Sequence, residues 1–151
     1  MFDIYVTRGR VTIDGLHYIF FCYNNLDEFA YYADPDKMKE MAGKYINKEE
    51  LQPDFVVTHT PPYDILSGVA HWGSIAIRDL VHRTQPKVAH IFGHVHTKRG
   101  YTDVHGVHHR NVAYCKSKVS EVYGFIDIYN TGNKQFESVP VGTNFVTKGC
   151  Y

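Results

Sequence analysis

The sequence predicts a mixed α/β layered domain. Three observations carry that expectation. Apolar runs of strand length alternate with helical segments early in the chain, hairpins crowd the later part, and two apolar runs stop abruptly at histidines.

Ile4 to Ile13 and Leu16 to Cys22 read as two strands around Asp14-Gly15, a dipeptide suited to a type I′ turn. Asn24-Asn25 ends the second strand. Pro35, flanked by Asp34 and Asp36, marks a helix start, and Lys37 to Ile46 carries Met38, Met41 and Tyr45 at helical spacing. Core packing explains that stripe. Phe55-Val56-Val57, between Pro53 and Pro61-Pro62, is a short buried strand ending at His59. Gly73 to His82 is a helix with Ile75, Ile77, Leu80 and Val81 apolar, and Pro86 blocks its continuation. Val88 to Phe92 is a second buried strand, ending at Gly93-His94. A β-rich tail follows: Gly100 to Val104, a turn over Asp103 to Gly106, Val107 to Tyr114, Gly124 to Tyr129 and Gln135 to Val139. No repeat or long linker interrupts residues 1–151, so a single domain is expected.

Composition narrows the function classes. Hydrophobic residues make up 44% and charged residues 21%, ordinary for a globular protein. Formal net charge is zero, so no basic field invites nucleic acid or an anionic membrane. A small anionic substrate would then need a local positive centre such as a metal. Cys22, Cys115 and Cys150 form neither a CxxC pair nor a disulfide framework, which fits a reducing, cytoplasmic setting. The N-terminus lacks the apolar stretch of a signal peptide. The longest apolar run, Tyr18 to Tyr23, is too short to span a bilayer.

The ten histidines stand out, because imidazole is the side chain most used to hold borderline metals. Two strand ends concentrate them: Thr58-His59-Thr60-Pro61-Pro62 and Gly93-His94-Val95-His96. In α/β proteins ligands sit beyond the carboxyl ends of strands. If the two strands are neighbours, His59, His94 and His96 converge there. Gly93 would let the backbone turn sharply, so that His94 and His96 reach inward together. Two metals about 3.5–4 Å apart are an established arrangement for hydrolysing phosphate esters. Asp64 is a candidate fourth ligand, though a turn residue after Pro-Pro-Tyr is the plainer reading. Arg99 and Lys98 could meet a phosphate at a cleft rim. His17 and His90 lie in strand runs and are read as packed or hydrogen-bonded. His82 is read as serving a helix C-terminus, His105, His108 and His109 as a solvated turn, and Tyr31-Tyr32 as core.

The stretch from Phe55 to Asn111 resembles the calcineurin-like metallophosphoesterases. The matching segments are VVTHTPPYDIL (Val56 to Leu66), HWGSIAIRDLVHRTQPKVAHIFGHVH (His71 to His96) and RNVAY (Arg110 to Tyr114). The resemblance implies a layered β-sandwich flanked by helices, of which this chain carries the C-terminal portion. It implies that His59 and His94 hold a second metal and His96 a first, the ions being manganese, iron, zinc or nickel. His71 matches a histidine found before glycine in this subgroup, and with Arg99 it is a candidate for substrate contact. The family's DxH, GD and GNH[DE] elements, which supply the bridging carboxylate, an asparagine ligand and the catalytic histidine, do not occur in this sequence.

Two cations so close repel strongly, and three neutral imidazoles cannot offset their charge. The expectation is therefore a metal-dependent phosphoesterase half-domain. A second polypeptide would complete it, docking on a sheet edge left unpaired, with a phosphate ester as substrate and nucleic acid not excluded. A non-catalytic interaction module on the same fold is the alternative.

Overall fold

The computed structural model describes residues 8–24, 33–46, 52–68, 72–116 and 122–141. Asp14 and Gly15 both take positive φ, 49° and 79°, as a type I′ turn requires, and they join β1 (Arg8–Ile13) to β2 (Leu16–Phe21) in an antiparallel hairpin. Asp34 accepts from the Lys37 amide and Pro35 opens α1 (Pro35–Gly43), with its Met38, Met41 and Ala42 face buried. Next come β3 (Phe55–Thr58), α2 (Ile75–Thr84) and β4 (Ala89–Phe92). The expected Gly73 helix start falls at Ile75 instead, because Ser74 provides the cap by accepting from the Ile77 amide. After a single 3-10 turn at His96–Lys98 come β5 (Gly100–Val104), β6 (Val107–Asn111), β7 (Phe125–Asn130) and β8 (Gln135–Pro140).

The first six strands make one sheet in the order β1-β2-β3-β4-β6-β5, with β2, β3, β4 and β6 mutually parallel. Parallel neighbours need crossovers, and α1 and α2 lie between β2, β3 and β4 in the chain. Side chains alternate across the sheet. Ile19, Phe21, Val56 and Val107 point to the helices and pack on Met38, Met41, Ala76, Ile77, Leu80 and Val81. Burying each of these larger apolar side chains contributes about 1.5–3 kcal/mol.

The opposite face carries Tyr18 stacked on Phe55, ring centroids 5.1 Å apart, and Phe55 edge-on to Tyr129 of the β7–β8 hairpin. That hairpin is pinned by Asp127, which takes Arg99 at 3.1 Å and Arg110 at 3.3 Å, all three side chains nearly buried. Arg99 also lies over the Phe125 ring, and Arg110 over Phe136. A mixed α/β architecture with a multi-stranded sheet is thus observed as expected. Cys115 is buried and disulfide-bonded, against the expectation of unpaired thiols, whereas Cys22 is free.

Candidate functional site

The carboxyl ends of β3 and β4 are adjacent, and the histidines that terminate them meet. His59 Nε2 lies 3.1 Å from His94 Nδ1, with the rings edge to face at 4.9 Å between centroids. Three hydrogen bonds fix the chain around His59. Thr58 Oγ1 donates to Thr60 O across the turn at 2.7 Å, Thr60 Oγ1 donates to Tyr23 O, and the Gly93 amide donates to His59 O. The following Pro61-Pro62 segment is held by the start of α2, where the Ser74 amide donates to Pro61 O and the Tyr63 amide to Ser74 O. Gly73 is needed for that approach, because a Cβ there would collide with the Pro62 carbonyl.

The loop carrying His94 turns more tightly than the sequence suggested, and at a different residue. Val95 N donates to Gly93 O at 2.8 Å, closing a three-residue turn whose central residue, His94, has φ +67°. A positive φ on a non-glycine residue at the head of such a turn is strained backbone. Gly93 itself has no positive φ, and a Cβ there would meet nothing within 4 Å. The turn was expected at Gly93. It sits at His94, while the Gly93 amide bonds to His59 O. Asn111, buried at the end of β6, steadies this loop by donating to Val95 O at 2.8 Å and accepting from the Ala113 amide. The sequence reading gave Asn111 no role, although a polar residue on the buried register of Val107 and His109 is a usable signal.

His96 follows with Nδ1 3.2 Å from Lys116 O, and its carbonyl accepts from the Tyr123 hydroxyl at 2.7 Å. It is close enough that a positive charge on it disfavours protonation of both His59 and His94. Desolvation is the larger cause in each case, and it combines with the two neighbouring imidazoles to bring His94 from 6.5 down to about 4. The pair therefore stays neutral at physiological pH, the form in which imidazole nitrogens bind metals.

These nitrogens fit one edge of a coordination sphere. Two ligands held about 2.1 Å from an ion and roughly at right angles stand about 3 Å apart. They do not form a closed set: among the described residues, no group of three or more His, Cys, Asp and Glu side chains is arranged to hold a metal.

Other candidates separate from the pair. Arg99 does not line a rim, since its guanidinium is turned under the β7–β8 hairpin onto Asp127 and Ala113 O. His71 and the Tyr31-Tyr32 pair lie outside the described residues. Asp64 occupies a turn with φ 61°, the plainer of its two readings. His17 bonds to Thr12, the hydrogen-bonded rather than the packed alternative. His109 is not part of a solvated turn: it is fully buried and pairs with His90, while His105 and His108 stay near the β5–β6 turn.

No protein-family model matches the chain. It is 31% identical over 113 residues to a UPF0046 protein of Caenorhabditis elegans, a match covering 74% of this chain and 38% of that protein. A solved crystal structure, 15% identical, superposes with a TM-score of 0.61 over 89% of this chain and 52% of its own length. The chain spans well under half of the curated relative, resembles it along three quarters of its own residues, and shares its mixed α/β fold with a larger solved structure.

Proposed function

We propose that this chain carries half of a metal-dependent phosphoesterase site, in which His59 and His94 hold one divalent ion and His96 stands beside a second position. The spacing of His59 Nε2 and His94 Nδ1, two neutral imidazole nitrogens converging from neighbouring parallel strands, is the observation that carries this reading. The resemblance of residues 55–111 to the calcineurin-like metallophosphoesterases supports it. Manganese, iron, zinc and nickel all suit imidazole. A bound ion would supply a Lewis acid for a phosphoryl oxygen. This chain's own part is to aim two nitrogens at one point on a rigid frame and to keep both rings uncharged. The remaining ligands, a carboxylate above all, come from a second polypeptide segment. The coverage of the UPF0046 relative leaves room for such a segment.

The test is hydrolysis of bis(p-nitrophenyl) phosphate with Mn2+, by the chain alone and co-expressed with a fragment bearing DxH, GD and GNH elements. Activity is expected only on complementation, and it should fall by at least about 100-fold in His59→Ala or His94→Ala. No gain with both chains folded counts against the reading. The open ligand set among the described residues favours the competing view, a non-catalytic interaction module. That view requires a purified assembly with no bound metal and a melting temperature indifferent to chelator.

A further inference from the structure

Behind the rim pair lies a second chain of polar groups that ends on the turn presenting His59. His90 and His109 are fully buried on the helix-facing side of the sheet. His90 Nε2 is 2.9 Å from Thr58 Oγ1, and His90 Nδ1 is 3.1 Å from His109 Nδ1. The protons in this chain are ordered by its one group that can only accept, the Thr60 carbonyl. Thr58 has one hydroxyl hydrogen and donates it to Thr60 O, a group that can only accept. Thr58 Oγ1 must then accept from His90 Nε2–H. A neutral His90 with its proton on Nε2 offers a lone pair at Nδ1, so His109 donates through Nδ1–H. His109 Nε2 is left as an unprotonated, buried nitrogen with no hydrogen-bond partner among the described residues.

We propose that His109, His90 and Thr58 are positioning residues for His59, a relay that fixes the turn angle at which its imidazole meets His94. The inference rests on the phosphoesterase reading for its purpose, though its geometry stands without it. The Thr58 hydroxyl spans the turn, residue 58 to residue 60, and His90 fixes the hydroxyl rotor that makes this bond. With the rotor free, the hydroxyl could turn from Thr60 O and the turn would open. Metal ligands are ordinarily oriented by such outer groups, and losing one weakens metal affinity by about 10–100-fold. Among the described residues, four side chains act electrostatically on His109. His82 of α2, His105 of the β5–β6 turn and His108 of β6 oppose charge on His109, and only Asp103 of β5 favours it.

Long-range 1H–15N spectra of the full chain test the relay directly. His90 is expected to carry its proton on Nε2 and His109 on Nδ1. A His90 proton on Nδ1 overturns the proposal. Thr58→Val should shift the His59 ring resonances and weaken Co2+ binding, followed by visible absorption, about tenfold, with Thr58→Ser restoring both. A Thr58→Val protein with a lower melting temperature but unchanged His59 resonances and Co2+ affinity would show a merely structural role and sink the idea. Should the wild-type chain bind no Co2+ without the second segment, that bears on the metal site and not on the relay, and the His59 resonances of the two Thr58 variants still decide this one. The wild-type tautomers decide it if Thr58→Val does not fold.

Discussion

Two pairs of histidines face each other across neighbouring strands, both with ring nitrogens 3.1 Å apart. His59 and His94 stand on loops at the carboxyl ends of β3 and β4. His90 and His109 stand inside β4 and β6, under α2. The separation is the same and the consequences differ. In the buried pair the facing nitrogens are joined in one directed chain ending at Thr60 O, so the rings hold structure together. The rim pair makes its contact at the carboxyl ends of the strands, with His59 exposed and His94 half-buried. Protonation is opposed in both, by burial first and by neighbouring imidazoles second. Distance alone therefore does not separate the two pairs; their place, on the rim at the strand ends or inside the sheet, does.

The largest expected effect separates the pairs by stability. His90→Leu leaves the His109 donor without a partner in the interior, and should cost about 3 kcal/mol in urea unfolding. His90→Leu with His109→Leu replaces the pair by apolar groups and should cost clearly less than the sum of the two single changes. His59→Ala, at an exposed loop position, should stay within about 0.5 kcal/mol of wild type. Strict additivity of the buried pair would remove the basis of the contrast.

Acid sharpens the comparison next. Burial, aided by His82 and His108, lowers His109 from 6.5 to about 4, and burial also holds His90 well below 6.5. The unfolded chain takes up protons near 6.5 and the folded one resists until about 4, so the unfolded state binds more protons throughout that interval. Stability is complete above the unfolded value and falls as pH drops through the interval. His90→Leu/His109→Leu should flatten this acid limb in urea midpoints measured across it. His59→Ala/His94→Ala should flatten it less, because those rings are partly screened by solvent. An acid limb untouched by removing the buried pair contradicts the assignment.

The rim pair was legible in the sequence because each histidine directly follows a short apolar strand, and parallel neighbours bring such ends together. The buried relay was only half legible. His90 was read as a hydrogen-bonded strand residue, but its partner His109 looked like a turn residue, since nothing local shows that β6 pairs with β4 rather than lying at the edge. Thr58 carries no signal at all, being an ordinary β-branched strand residue whose role depends on a histidine from another strand. Arg99 failed for the same reason. A cation after the GHVH motif suits a phosphate equally well until Asp127 folds over it. The N-terminal start of the first strand, Ile4 to Thr7, lies outside the described residues.

The smallest expected effect concerns the one feature that sets the rim pair apart in backbone as well as surroundings. His94 holds φ +67° at the head of a turn closed by Val95 N and Gly93 O, whereas His90 and His109 lie in regular strand. For a residue with a Cβ that conformation costs roughly 1–2 kcal/mol relative to glycine, offset partly by glycine's larger entropy in the unfolded chain. His94→Gly and His94→Ala remove the same imidazole, so any contact energy cancels between them. The glycine variant should then be the more stable by about 1 kcal/mol, a difference of a few degrees in melting temperature. A matched pair at His90, in extended strand, should show the opposite order, with alanine the more stable. If alanine also wins at position 94, the turn is not strained, and the loop is shaped by its hydrogen bonds to His59 and Asn111 alone.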